Sequence, residues 1–154
     1  MGWAAFFTKP LRSLAWGWVK RLVQKQFPGV ASLSTADLAQ QLAHGDPPLL
    51  IDVRGEEEYA VSHLPGALHL PSEAAIAQAD IPPDTPLVLY CSIGYRSARL
   101  AEKLQETGYS KVKNLEGSIF EWYNQGRPVV ANGEPVQRVH PYSFTWGLLL
   151  EEGQ

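Results

Sequence analysis

Leu87-Val88-Leu89-Tyr90-Cys91-Ser92-Ile93-Gly94-Tyr95-Arg96-Ser97-Ala98-Arg99 is an apolar run, then a short loop with the chain's single cysteine, then a helical stretch with two arginines. A short apolar run bounded by turn signals reads as a buried strand. A strand that passes directly into a helix leaves backbone N–H groups, and the positive end of the helix dipole, facing the loop between them. An ordinary thiol is only a few per cent ionised at neutral pH, and helix N-termini and nearby arginines are the usual devices for raising that fraction. Arg96 and Arg99 supply the arginines here. The competing reading is a cysteine buried for packing; Gly94 and the two arginines favour a reactive one.

Outward from this stretch the chain alternates strand and helix. Extended pieces are expected at Val30 to Ser32, Leu49 to Val53, Ala67 to Leu70, Leu87 to Tyr90 and Val112 to Leu115. Helices are expected at Ala36 to Ala43 behind a Ser34 or Thr35 cap, Glu56 to Val61, Ala74 to Ala79, Arg96 to Thr107 and Ser118 to Gln125. Gly45 and Gly108 act as helix stops. Leu100, Leu104 and Trp122 are core candidates. The strands are apolar without strict alternation, which argues for an α/β fold: a mostly parallel central sheet of about five strands with helices on both faces. In such sheets ligands bind beyond the carboxyl ends of the strands, where Asp52 and Cys91 belong.

With 154 residues, 45% hydrophobic and 19% charged, the chain suits a soluble protein with one core. One cysteine excludes an intramolecular disulfide, gives no metal-ligand cluster and suits a reducing compartment, although intermolecular pairing stays open. No run approaches the eighteen or so apolar residues of a membrane span. Lys9-Pro10 interrupts Trp3-Ala4-Ala5-Phe6-Phe7 too early for a secretory signal, so a cytoplasmic protein is expected. Residues 1 to 27 hold five basic side chains and no acid, so the net −3 of the chain leaves −8 to the remainder, which does not invite nucleic acid.

The chain divides into a basic amphipathic helix within residues 1–28, a body over 29–130 and an extension over 131–154. In the first, Leu11, Leu14, Ala15, Trp18, Val19, Leu22 and Val23 recur at helical spacing, and Lys20, Arg21, Gln24 and Lys25 fall on the other side. Such a helix either packs on its own domain or a second subunit, or rests on an anionic membrane through residues 11–27. Packing is the more common fate. In the extension, Asn132-Gly133 predicts a hairpin whose second arm Pro135 confines to an edge. Tyr142, Phe144, Trp146 and Leu148 to Leu150 form an apolar segment that needs cover, from the domain, the N-terminal helix or a dimer partner.

Ile51-Asp52-Val53-Arg54, Glu58-Tyr59, His63-Leu64-Pro65-Gly66-Ala67, Cys91 to Ser97, and Asn114-Leu115-Glu116-Gly117 with Trp122 together resemble the single-domain rhodanese-like sulfurtransferases over about residues 30 to 130. Ser62 and Ser118 depart from that pattern where glycine is frequent, and neither is expected to touch the reactive loop. The resemblance implies a three-layer rhodanese-like fold and ping-pong transfer of a sulfane sulfur, from thiosulfate or a persulfide donor to a thiol or cyanide-type acceptor. Cys91 would be the nucleophile, and the Ser92 to Ser97 amides (Ser92, Ile93, Gly94, Tyr95, Arg96, Ser97) would hold the persulfide charge. Arg96 is expected to brace the loop against Asp52 or one of Glu56 to Glu58 rather than bind donor. Arg54 and Arg99 are candidates for donor attraction.

Two other classes compete. Cysteine phosphatases of similar fold place five residues between Cys and Arg, and usually a His before the Cys. Here four residues, Ser92 to Tyr95, intervene and Tyr90 precedes, so the cradle is small for a tetrahedral phosphate. Non-catalytic rhodanese-like modules commonly lack the loop cysteine. His44, His63, His69 and His140 are too scattered for a zinc site, although His63 can brace the loop before the third strand, and no glycine-rich phosphate motif implies a nucleotide cofactor.

Overall fold

The computed structural model describes residues 9–151. The run Trp3 to Phe7 lies outside them. The chain enters through α1 (Lys9–Gln26) and continues through β1 (Ala31–Leu33), α2 (Thr35–Ala43), β2 (Leu49–Asp52), α3 (Glu56–Val61) and β3 (Leu68–His69). Next come α4 (Glu73–Gln78), β4 (Leu87–Tyr90), α5 (Tyr95–Glu106), β5 (Val112–Leu115) and α6 (Ser118–Asn124). The hairpin β6 (Val129–Ala131) and β7 (Glu134–Val136) precedes a single turn, α7 (Phe144–Gly147).

Strands β1 to β5 form one sheet in the order β1-β5-β4-β2-β3, every neighbouring pair parallel. Alternate residues of each central strand point to opposite faces. Leu50, Val88 and Tyr90 enter one cluster with Leu38, Ile119 and Phe120, whereas Ile51, Leu87 and Leu89 enter another with Ile76, Ala101 and Leu104. Both faces are therefore dry, which is why the strands read as unbroken apolar runs. This is the expected three-layer architecture. The strand most shortened against expectation is β3, an edge strand paired only with β2. Helix α2 is capped by Ser34, whose Oγ accepts the Asp37 N–H at 3.1 Å; Thr35 already lies in the helix and donates to Gln125 Oε1 at 2.6 Å.

Helix α1 lies on the domain through a stripe that overlaps the expected one only in part, keeping Ala15, Val19 and Val23. Trp16, Val19 and Val23 are buried, at i, i+3 and i+7, while Leu11, Leu14 and Trp18 face solvent and Leu22 sits at the margin. The helix is apolar around so much of its circumference that two helical stripes overlap, and the partner decides which is buried. That partner includes the chain's other end: Trp146, Leu149 and Leu150 pack in the same cluster as Trp16 and Val19. Asn124 Nδ2 donates to the Leu149 carbonyl at 2.7 Å and Arg12 reaches Glu151 at 3.7 Å. Lys20, expected on the open side, instead pairs with Glu121 at 2.8 Å. The hairpin forms around Asn132-Gly133, both at positive φ, with Pro135 in its outer arm, and Val130 exchanges two backbone bonds with His63.

Candidate active site

β2 and β4 run in register, so Asp52 and Tyr90 end level and Cys91 follows at the carboxyl edge of the sheet. The loop from Cys91 to Gly94 then enters α5. Gly94 is its N-cap, at φ +108, a left-handed value that side chains rarely adopt. With that geometry the Gly94 N–H points back at Cys91 Sγ, 3.2 Å away. The thiol is 1% exposed. Ser97 Oγ lies 3.4 Å from the same sulfur and 2.6 Å from Asn114 Oδ1. Asn114 Nδ2 donates to the Gly94 carbonyl at 3.0 Å, which fixes Oδ1 as the acceptor, so the single Ser97 hydroxyl proton goes to Asn114. Gly94 N–H is thus the amide that the fold aims at the sulfur.

The loop is clamped from two sides. On one, Arg96 Nη1 and Nη2 grip Glu58 Oε2 and Oε1 at 3.0 and 2.8 Å, and Arg96 Nη2 also donates to Ser92 Oγ at 2.9 Å. Burial would lift the Glu58 carboxyl, but the bidentate Arg96 bond, the Gly55 N–H and the charges of Arg96 and Arg54 outweigh it and hold it below its usual range. Arg96, for which burial acts the other way, is held above its usual range by the same pair and by the Cys91 sulfur. Of the acids offered by sequence, Glu58 is the partner; Glu56 and Glu57 are exposed. On the other side, Ser118 Oγ accepts the Cys91 N–H at 3.2 Å and donates to the Leu115 carbonyl at 2.9 Å. This corrects the expectation that Ser118 stands clear of the loop: its hydroxyl, on a residue at φ +49, anchors the nucleophile's own backbone.

Asp52 and Arg54 take roles other than those read from sequence. Asp52 pairs with Arg54, not Arg96: Arg54 Nη2 lies 2.8 Å from Asp52 Oδ2, and both side chains are 0% exposed. Arg54 Nη2 also donates to the Ser62 carbonyl at 2.6 Å. A guanidinium with no exposed surface cannot attract a donor, so that expectation for Arg54 is overturned. Its charge is consumed within the fold, beside Tyr90, whose phenol burial and Asp52 push well above the usual range. Arg99 does reach the surface, with its guanidinium 5.6 Å from the Tyr95 ring.

Above the thiol is a cavity of about 290 Å³ with Cys91, Ser92 and Ile93 at its floor. Tyr95, Arg96 and Arg99 of α5 form one side. Val19, Leu22 and Val23 of α1, with Tyr142 and Trp146 of the tail, form the rest. Tyr95, Arg96 and Arg99 are expected at the site from sequence; the α1 and tail residues of the wall are not, nor are Asn114 and Ser118 as site residues. The motif Asn114 to Gly117 contains Asn114 and ends beside Ser118, whereas nothing local ties residue 22 or 142 to residue 91.

The family model of the rhodanese-like domain matches residues 34–125. The chain belongs to the rhodanese-like family. A sulfurtransferase of Allochromatium vinosum is 38% identical over 103 residues, which is 66% of this chain and 96% of that protein. A probable adenylyltransferase/sulfurtransferase of Mycobacterium tuberculosis is 32% identical over 64% of this chain, but the match spans only 26% of that longer protein. Among solved structures, the polysulfide-sulfur transferase homodimer of Wolinella succinogenes matches 77% of this chain and 90% of its own, at 25% identity and a TM-score of 0.61. The thiosulfate sulfurtransferase of Pseudomonas aeruginosa shares the fold, with a TM-score of 0.63 at 20% identity over 87% of this chain and 26% of its own. These rhodanese-like relatives support an enzyme of rhodanese type that transfers sulfur.

Proposed function

We propose that this rhodanese-like chain transfers a sulfane sulfur, from thiosulfate or a persulfide donor to a thiol or cyanide-type acceptor, through a persulfide on Cys91. The observation that carries the reading is Cys91 in the lining of a pocket, its buried Sγ 3.2 Å from the Gly94 N–H at the start of α5. In the first half, the Cys91 thiolate attacks the outer sulfur of the donor. The new S–S bond forms, the donor's own bond to that sulfur breaks, and the leaving group (sulfite, from thiosulfate) departs with the electron pair. The resulting persulfide carries its negative charge on the terminal sulfur, which the loop amides and the α5 dipole stabilise. In the second half an acceptor thiolate attacks that terminal sulfur and regenerates the Cys91 thiolate. With one cysteine in the sequence, release depends on an external nucleophile, which suits a reducing, cytoplasmic compartment.

The Arg96–Glu58 clamp positions the loop, and Ser118 and Asn114 hold its two ends. Mass spectrometry after treatment with thiosulfate or a low-molecular-weight persulfide tests the reading. Wild type is expected to gain one sulfur atom and Cys91→Ala none; no gain in wild type with any donor, or a gain in Cys91→Ala, overturns it.

The reading extends to peripheral contact with an anionic membrane through the outward stripe of α1. Support comes from Leu11, Leu14 and Trp18, exposed by 50%, 72% and 61%, with Arg21 and Lys25 exposed beside them. Among the described residues no helix is long and apolar enough to cross a membrane. Pelleting with phosphatidylserine vesicles is expected for the full chain and not for its Leu14→Glu, Trp18→Glu double variant. No pelleting, with a dimer in light scattering that the double variant dissociates, assigns the stripe to a second copy instead.

A further inference from the structure

The reacting groups all lie within the family-matched stretch 34–125, yet most of the cavity wall above them does not. Leu22 from α1, and Tyr142 and Trp146 from the tail, face Cys91 across a space of about 290 Å³. Thiosulfate is a small, doubly charged, strongly hydrated anion. Apolar walls strip its water and return no hydrogen bond. The Arg96 guanidinium, the cation nearest the loop, already serves Glu58 and Ser92, and the Tyr142 ring covers it at 4.3 Å. Tyr142 is held there against its backbone preference: φ is +63, outside the region favoured by an aromatic residue, and its N–H donates to His140 Nδ1 at 2.9 Å. Such strain persists where surrounding structure enforces it, characteristically at sites that bind or react.

We propose that these walls select the sulfur donor: an organic sulfane-sulfur compound whose reactive anionic end meets Cys91 and whose apolar body lies against Leu22, Tyr142 and Trp146. This rests on the sulfur-transfer reading above. For an organic thiosulfonate, the Cys91 thiolate bonds to the terminal sulfur and that sulfur's bond to the sulfonyl sulfur breaks. The sulfinate leaves with the electron pair. Arg99, which lines the cavity, attracts the anion of either donor, and only an organic donor has an apolar body to take the space that an inorganic anion leaves unused. Residues remote in sequence from the cysteine thus set specificity, while those beside it carry the chemistry.

The test compares two donors with the same reacting group and different bodies, benzenethiosulfonate and methanethiosulfonate, on the full-length protein. Rates of sulfur loading on Cys91 are read by mass for each, and their ratio is taken, so any loss of folded protein cancels. Leu22→Gln and Tyr142→Ser are each expected to lower the benzene-to-methane ratio about tenfold, as losing part of an apolar subsite does. Gln26→Ala, exposed on the same helix and outside the cavity, is expected to leave it unchanged. An unaltered ratio in both wall variants, or no loading from either thiosulfonate while thiosulfate loads Cys91, overturns the proposal while sulfur transfer stands; absence of loading from every donor, thiosulfate included, overturns both.

Discussion

The family-matched body and the two terminal segments meet at one cavity but are built from opposite materials. Around Cys91 the body places buried and half-buried polar groups in fixed partnerships: Arg54 with Asp52, Arg96 with Glu58, Ser97 with Asn114, and Ser118 with the Cys91 N–H. The termini present apolar surface to the same cavity, and their polar links, Arg12 to Glu151 and Lys20 to Glu121, lie away from it. Directional bonds hold one sulfur atom in one place, whereas apolar walls discriminate by size and hydration and tolerate variation in shape. On the proposals above, the body makes the chemistry and the termini choose the substrate.

Removing Cys91 tests this separation most severely: Cys91→Ala is expected to abolish sulfur loading and acceptor turnover entirely while circular dichroism and donor-independent stability stay near wild type. Asp52→Asn leaves the Arg54 charge buried without its partner, and urea denaturation is expected to show a loss of about 3 kcal/mol. If Leu149→Ala, far from the family-matched stretch, costs a comparable ~2–3 kcal/mol in the same assay, the tail belongs to the core. A cost near zero would make it a loosely attached flap and break the comparison.

Smaller effects sharpen the body's side. Arg96→Lys replaces a bidentate fork with a point charge and is expected to slow sulfur loading about tenfold or more, with the pH dependence of loading displaced as well. Glu58, held low in the fold, contributes stability that is present above the ordinary glutamate range and fades as pH falls through its depressed folded value. In that window the unfolded chain binds more protons, so stability rises with pH. Wild type should therefore lose urea resistance below about pH 4, and Glu58→Gln should show a flatter acid limb from a lower plateau. A Glu58→Gln profile that parallels wild type would mean the clamp carries no linked charge.

The order of strands and helices, the parallel sheet, the loop and the pairing of Arg96 with an acid were legible because each rests on local pattern. Hydrophobic period, turn residues and the Cys91-to-Arg96 spacing act over a few residues. The role of Arg54 is not legible because its neighbours in sequence do not reveal that Asp52, two residues before it, and the Ser62 carbonyl take its Nε and Nη2 inside the fold. Ser118 was misread because its distance from Cys91, 27 positions in sequence, becomes one hydrogen bond only when β4 and β5 lie side by side. Helix α1 was predicted at its true place but rotated, since periodicity specifies a helix and not which of two overlapping stripes finds a partner.

The sequence alone determined the architecture and the cysteine loop, because strand burial, helix capping and a left-handed Gly94 are properties of short segments. Only the tertiary structure decided what stands over that loop. Residues 22, 91 and 142 share no local pattern; packing of the chain's two ends on one another places Leu22 and Tyr142 above the thiol. Burial of apolar surface is non-directional, so it leaves no spacing in the sequence from which that wall could be read.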